Sequence, residues 1–367
     1  MKFSVDSKEL IAGVLSVIKA LPLRSSMPIL EGVYIDASEN GVTLKSSDLM
    51  MQKDCTLCAT VEEAGRAIVP GKLFMEVVRK LPDAVAYLTL DEKTLKIECG
   101  RSKNNVQCIE YEDFPEMRFQ GDQIDISLSP NDWKRMIAET SFAVAQDDSK
   151  PILTGVLMEL DENITLIATD AYQFAMRFMP LKAPVAPCSI VIPGKTILEV
   201  GRMMEEATTE EAKLTFSRTH IRVELNQSVL TARLIDGDYI KYKQLLPKEH
   251  KTRVLIDRAE LMESLDRAML MAREGNNNVI MKFHANRLNI VATSFVGAVD
   301  ENIDVQINGD DIDIAFNPKY CLNILKCIPT EKIYLDFTTP ISPCVIRPST
   351  GDGYYYLVVP VRIGYQF

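Results

Sequence analysis

The sequence is poor in the residues that carry out chemistry. Its 367 residues include three histidines, His220, His250 and His284. None falls in an H-x-x-x-H or H-E-x-x-H spacing, so no helix offers two imidazoles to a metal. The phosphate-cradling loops G-x-x-x-x-G-K-[ST] and G-x-G-x-x-G are missing, as is the nucleophile elbow G-x-S-x-G. No stretch approaches the ~18 consecutive apolar residues of a membrane helix. The start, Met1-Lys2-Phe3-Ser4-Val5-Asp6, has no apolar h-region of a signal peptide. The expectation is a cytoplasmic protein with no membrane contact. Eight cysteines are scattered through the chain, which fits thiols kept reduced in the cytosol. Cys55 and Cys58 form a C-x-x-C without a second pair at zinc spacing. They are expected to be buried or half-buried free thiols. No metal site and no cofactor is expected.

Basic charge is also in deficit. Lys and Arg number 41 against 51 Asp and Glu, a formal net charge of −10. Phosphate binding needs a basic surface, so any affinity for nucleic acid has to come from where the charges sit.

What the sequence has is a repeat. Ile68-Val69-Pro70-Gly71-Lys72 returns as Val191-Ile192-Pro193-Gly194-Lys195 and as Phe316-Asn317-Pro318-Lys319; the lysines lie 123 and 124 positions apart. Seven residues further on, Arg79, Arg202 and Lys326 recur in phase. Asparagines expected at turns, Asn40, Asn163 and Asn286, keep the same period, and each precedes a small polar corner. Those corners are Ser46-Ser47-Asp48, Ala168-Thr169-Asp170 and Ala292-Thr293-Ser294. The copies start alike too: a short strand precedes Leu10, Trp133 and Leu261. The chain is one unit written three times. The expected domains are 1–121, 122–249 and 250–367.

Each copy reads as a strand and an amphipathic helix, then a hairpin, further strands, a second helix after the proline, and closing strands. In the first copy Leu10, Ile11, Val14, Leu15, Ile18 and Leu21 form the helical stripe, with Asp6 or Ser7 as N-cap. The fold class is α+β, three repeated domains with two helices and antiparallel sheets each. Basic residues recur on the six helices, including Lys8, Lys19, Lys72, Arg79, Lys134, Arg135, Lys195, Arg202, Arg258, Arg267, Lys319 and Lys326. A modest positive lining of that kind binds phosphates weakly and without sequence preference. The Ser-Asp and Thr-Asp corners read as strand ends capped by local hydrogen bonds. The acidic run Asp310-Asp311-Ile312-Asp313 reads as a solvated strand end.

Over its whole length the sequence resembles the bacterial DNA sliding clamp family, the β subunit of the replicative DNA polymerase. The residues that carry this are Met1-Lys2-Phe3, Arg24 to Leu30 with Met27-Pro28-Ile29-Leu30, Val69-Pro70, Gly100-Arg101-Ser102, Asp113-Phe114-Pro115, Ala168-Thr169-Asp170, Leu246-Pro247-Lys248 and Val359-Pro360-Val361-Arg362. The resemblance implies the DNA-clamp fold and a non-catalytic processivity factor. It implies a head-to-tail homodimer, two chains closing six domains into a ring around duplex DNA. Its implied partners are double-stranded DNA, the replicative polymerase α subunit, the clamp loader, and repair and other polymerases that bind through short linear motifs.

The resemblance also assigns residues. For DNA it points to Arg24, Gln146, Lys72 and Lys195, with Arg79 and Arg202 on the same helices. For the partner-peptide pocket it points to Leu153, Thr169, Ala171, Tyr172, Gln173, Phe174, Pro247, Pro343, Leu357, Val358, Val359, Pro360, Val361 and Arg362. Arg253 and Val254 are further positions of that mapping. For the ring joint it points to Asn104 and Val106 facing Leu270 and Met271. Family members often have Gly-His-Arg-Leu where this chain has Ala171-Tyr172-Gln173-Phe174, and some carry an aromatic residue at Asn104. Gly364-Tyr365-Gln366-Phe367 run past the usual end and are expected to reach the pocket rim. Two rival readings are a monomeric three-domain interaction scaffold without DNA, and a hydrolase with its site around Asp170.

Overall fold

The computed structural model describes residues 1–110, 113–119, 121, 123–147, 149–351 and 353–362. Among them are six α-helices: α1 (Ser7–Val17), α2 (Gly71–Val78), α3 (Pro130–Ala138), α4 (Gly194–Glu205), α5 (Arg258–Arg273) and α6 (Pro318–Cys327). The strands form four antiparallel sheets. The chain packs as two compact units, residues 1–133 with 199–234 and residues 134–198 with 235–367.

Local chemistry sets the helix starts. The Asp6 carboxylate accepts from the Lys8 and Glu9 amides at 2.8 and 3.4 Å, and Asp257 does the same for Ala259 and Glu260 at 2.9 and 3.0 Å. Asp6 is thus the cap, and Ser7 is the buried first residue of α1. In the first two copies a strand ends on the proline and the helix begins on the following glycine. In the third, Asn317 caps through the Lys319 amide at 3.0 Å and Pro318 occupies the first turn, where its missing N–H is no loss.

The expected asparagine turns hold in two copies. Glu39–Asn40 and Ala285–Asn286 are two-residue turns. The middle copy differs: three residues separate Leu160 from Ile164, and Asn163 already belongs to the strand. Its amide is held by the Asp161 carboxylate at 2.7 Å.

In the first unit, a five-stranded sheet runs in the order Thr60–Glu63, Lys2–Asp6, Val85–Asp91, Thr94–Cys99 and Ser102–Gln107. An eight-stranded sheet joins the last strands of the second copy to the first copy. There Ser228–Arg233, the closing strand of copy two, pairs with Met51–Leu57, the strand after the first corner. The α1 stripe Leu10, Val14 and Val17 is buried in a core with Phe3, Leu44, Leu57, Phe74 and Leu88. Gly13 allows this approach, since a Cβ there would lie 2.5 Å from Leu57 Cδ2.

In the second unit, a nine-stranded sheet does the same one copy later. The closing strand Tyr354–Val358 pairs with the corner strand Gln173–Pro180. A four-stranded sheet is ordered Gly297–Asp304, Arg287–Ser294, Val279–His284 and Ile312–Phe316.

Two details depart from expectation. Cys55 is buried, but Cys58 is exposed. Several of the recurrent basic residues are also neutralised. Lys8 pairs with Asp83, Arg135 with Glu139, Arg202 with Glu199 and Arg267 with Glu301. Arg258 donates to the Leu325 and Thr330 carbonyls. Fewer of these cations carry an uncompensated charge than the sequence alone suggests.

One ion pair is fully buried. Lys53 Nζ lies 2.6 Å from Glu199 Oε1, and the two side chains are 2% and 3% exposed. Truncating Lys53 leaves the buried Glu199 carboxylate with only the exposed Arg202 guanidinium, at a cost of up to about 3 kcal/mol. Lys53→Met should therefore lower the urea midpoint markedly. The double variant Lys53→Met with Glu199→Met should recover most of the loss in the same assay.

A second ionic cluster is exposed. His284 Nδ1 lies 3.1 Å from Asp311 Oδ2, and Nε2 lies 2.6 Å from Asp313 Oδ1. The Asp313 hydrogen bond, helped by the charges of Asp313 and Asp311, raises the imidazole above its ordinary value of 6.5. The folded state thus holds the proton more tightly than the unfolded one. This contribution is complete below the ordinary value and disappears as pH rises through the raised one. His284→Gln should abolish that small decline in a thermal-unfolding series from pH 6 to 9, leaving stability at high pH nearly unchanged.

Candidate functional site

The three corners share one construction. Asp48 Oδ1 accepts from the Met50 and Met51 amides at 3.0 and 2.7 Å. Asp170 Oδ1 accepts from Tyr172 and Gln173, both at 2.9 Å. Ser294 Oγ accepts from Val296 at 3.3 Å. The carboxylate or hydroxyl replaces the backbone partner that the turning chain lacks. The Asp170 carboxylate also accepts from Gln173 Nε2 at 3.0 Å. It is occupied in holding the turn, which speaks against a catalytic role. Among the described residues no group of three or more His, Cys, Asp or Glu side chains could hold a metal.

The second corner borders an apolar cluster. Leu157, Ile167, Phe174, Val191, Tyr242, Val345 and Leu357 are buried together. Partly buried Ile152, Met176, Ile235, Tyr239, Ile240, Leu246 and Tyr355 pack around them. The strand pairing supplies two of its members, because Phe174 stands opposite Leu357 and Gln173 opposite Val358. The segment after Ile235 brings Tyr242 onto Phe174, with ring centroids 5.9 Å apart. Tyr242 is held from behind, its hydroxyl donating to Glu159 Oε2 at 2.7 Å. Burial and that acidic neighbour keep the phenol protonated.

Of the residues assigned to a pocket, Leu153, Thr169, Gln173, Phe174, Leu357 and Val358 are buried. Ala171, Tyr172, Val359, Val361 and Arg362 are exposed, and Pro247, Pro343 and Pro360 are half-buried. Backbone bonds tie this rim together. Val359 N donates to Tyr172 O at 2.9 Å and Val361 N to Ala315 O at 2.8 Å. Tyr355 Oη donates to Pro247 O at 3.5 Å. Ala171 has a φ of 76°, a region that suits glycine, so the alanine carries strain.

Tyr172 lies on Tyr320 of α6, centroids 5.6 Å apart and planes 4° apart. Gln173 Oε1 accepts from Asn323 at 3.3 Å. Arg253 is committed elsewhere. It grips buried Asp336 with two bonds of 2.6 and 2.8 Å and lies over Tyr334. Val254 is buried. Gly364, Tyr365, Gln366 and Phe367 lie outside the described residues.

Sequence reasoning missed Tyr242, Val345, Tyr320 and Asn323. Tyr242 lies in a linker where the period fades. The repeat did hold a signal for others, since Ile152 and Val191 stand 123 positions after Ile29 and Ile68. Those two belong to the matching small cluster of the first copy, with Tyr34, Phe114 and Ile109.

The residues assigned to DNA occupy helix entries and loops. Arg24, Lys72, Gln146, Lys195, Arg79 and Arg202 are all exposed. Lys72 Nζ reaches the Leu23 carbonyl at 3.4 Å, and Arg79 lies against Met75 Sδ. Arg202 shares its charge with Glu199 at 3.0 Å. Of the residues assigned to a ring joint, Val106 is buried, Asn104 and Met271 half-buried, and Leu270 59% exposed.

Comparison with known proteins agrees with this architecture. Family models for the DNA polymerase III beta subunit match in order: the N-terminal domain over residues 1–118, the central domain over 127–241 and the C-terminal domain over 243–362. The beta sliding clamps of Staphylococcus aureus and Bacillus subtilis are each 30% identical over 99% of this chain, covering 99% and 100% of their own lengths. The crystal structure of the Bacillus subtilis DNA polymerase sliding clamp superposes with a TM-score of 0.95 at 29% identity, covering 99% of this chain and all of that one. With all three domain models matched in sequence and relatives covered end to end, the chain belongs to the DNA polymerase III beta subunit family, the bacterial sliding clamps.

Proposed function

We propose that two copies of this chain close head to tail into a six-domain ring that encircles duplex DNA and tethers the replicative polymerase to it. The chain is a non-catalytic subunit by family, and its work is positional. The observation that carries the ring is the strand accounting. Closing strands pair with corner strands twice within the chain, at Ser228–Arg233 with Met51–Leu57 and at Tyr354–Val358 with Gln173–Pro180. One closing strand, Ser102–Gln107, and one corner strand, Gly297–Asp304, remain at sheet edges. Open edges of that length invite a partner. A contact in which each copy offers a different edge is heterologous, and it closes if the rotation permits.

The ring reading assigns domains 1–121, 122–249 and 250–367. The matched family segments end or begin near those limits, which supports the assignment except that the third begins at 243. It places Arg24, Gln146, Lys72, Lys195, Arg79 and Arg202 toward the DNA. Their weak positive field is sufficient, because topology rather than affinity retains the duplex. The net charge of −10 is then no obstacle. Tethering raises the effective concentration of a bound polymerase at its template. Linear motifs of the polymerase, the clamp loader and repair proteins would dock at the Phe174–Leu357 cluster. The apolar floor and the hydrogen-bonded rim support this reading.

Two measurements test it. Sedimentation should give a dimer near twice 41.2 kDa; a monomer at micromolar concentration would favour the scaffold without DNA. Protein loaded by its loader should stay on circular DNA and run off linear DNA. Lys72→Ala with Lys195→Ala should weaken duplex contact at low salt by about tenfold, with a shallower salt dependence. Phe174→Asp should abolish capture of the polymerase α subunit's tail peptide while leaving the dimer intact.

A further inference from the structure

The repeat fixes more than which edges meet; it fixes their register. Every corner strand can be aligned on its hairpin, because Ser47 pairs with Gln52, Thr169 with Phe174 and Thr293 with Ala298. Closing strands align likewise, since Cys99 pairs with Ser102 and Leu225 with Ser228 across two-residue turns. In the first realised seam Met51 faces Ala232 and Cys55 faces Ser228. In the second, Gln173 faces Val358. Carried to the open edges, the same geometry sets Gly297 opposite Val106, Val299 opposite Asn104, Asp300 opposite Lys103 and Glu301 opposite Ser102.

The burial pattern supports this register independently. Along Ser102–Gln107 the even positions are the more buried, and along Gly297–Asp304 the odd positions from Val299 on are. The transferred register sets the inward faces together, and a slip of one residue would break that match. It also brings a cation to an anion on the outward face, Lys103 to Asp300.

Exposed apolar residues then acquire a place. In both realised seams the corner carbonyl accepts from the residue after the closing pair: Arg233 N to Met50 O and Val359 N to Tyr172 O, each 2.9 Å. The third equivalent is Val296, which would accept from Gln107. Tyr172 packs on Tyr320, the residue after Lys319 on the second helix of the neighbouring copy. The first copy's equivalent is Leu73, after Lys72. Leu73 is 48% exposed, Val296 58%, and the adjoining Phe295 88%.

We infer that the corner Phe295–Val296 docks on Leu73 of a second copy, in a seam where Lys103 faces Asp300. This contact supplies the apolar anchor that Asn104 does not. The inference rests on the ring reading and adds the residues that hold the joint.

The test is a double-mutant cycle on the dimer dissociation constant, read by sedimentation over a dilution series. Val296→Ser and Leu73→Ser should each raise it about tenfold, and together by much less than the product, because they share one contact. Asp300→Lys should weaken the dimer, and adding Lys103→Asp should restore it. All four positions are exposed, and circular dichroism checks that each variant is folded. A wild-type dimer whose dissociation constant ignores Val296→Ser and Leu73→Ser overturns the anchor and leaves the ring. A charge swap that fails to restore overturns the register. A wild-type chain that stays monomeric overturns the ring itself, and the anchor with it.

Discussion

The structure depends on the pairing of a closing strand with a corner strand. A copy taken alone leaves two rows of backbone N–H and C=O groups at its sheet edges. Each unmade hydrogen bond there gives up a net ~1 kcal/mol and leaves a template for aggregation. The chain resolves this twice, by passing the last strands of the second and third copies to the corner strand of the copy before, which makes the eight- and nine-stranded sheets. The repeat is therefore held together by its sheets, and its corners are obliged to sit where copies meet.

The seams are also marked by charge. In the second copy Glu139 lies 2.9 Å from Arg177, close as an ion pair rather than as an aligned hydrogen bond. In the third, the equivalent positions are Arg267 and Glu301, joined by bonds of 2.9 and 2.7 Å. The residue six positions after Trp133 or Leu261 and the same corner-strand position carry the same interaction with its signs reversed. The first copy uses neither charge: Ser16 Oγ lies 3.3 Å from Ser228 Oγ, and Cys55 takes the strand position. A buried charge is tolerated only with its own partner. Differences of this kind give each copy its own link to its corner strand.

Much of this was legible in the sequence, and the reason is periodicity. The lysines at the second helices, the asparagines and the corners all report local structure, and local structure repeats with the chain. The helical stripe of α1 came from spacing alone, which left its cap at Asp6 or Ser7 until the amide bonds chose Asp6. What escaped depends on partners distant in sequence. Arg202, Arg258 and Arg267 look like a basic face until Glu199, the Leu325 carbonyl and Glu301 are brought against them. Cys58 lies on the exposed side of a segment whose burial could not be read from two cysteines. Tyr242 was invisible because linkers between copies carry no period, yet it stacks on Phe174 and fixes the floor of the cluster.

That linker also explains why one seam presents an apolar site and its counterpart does not. In the first copy Phe114 stacks on Tyr34 at 5.0 Å and both are buried. The position of Phe174 is taken there by Gln52, whose side-chain oxygen accepts from the Met117 amide at 2.8 Å. The linker is thus hydrogen-bonded directly to the corner strand and seals the cluster beneath it. In the second copy Phe174 has no such group to offer. Its linker is fastened through Tyr242 to Glu159 and through the Pro247 carbonyl to the Tyr355 hydroxyl instead. The Met117 amide is half-buried, and displacing it from Gln52 gives up a hydrogen bond worth ~1 kcal/mol. The rim of this cluster at Tyr172, Val359 and Val361 is open to solvent. The copies share a fold, and the residue at one corner-strand position, Gln52 or Phe174, sets whether the linker is hydrogen-bonded to that strand or stacked on it.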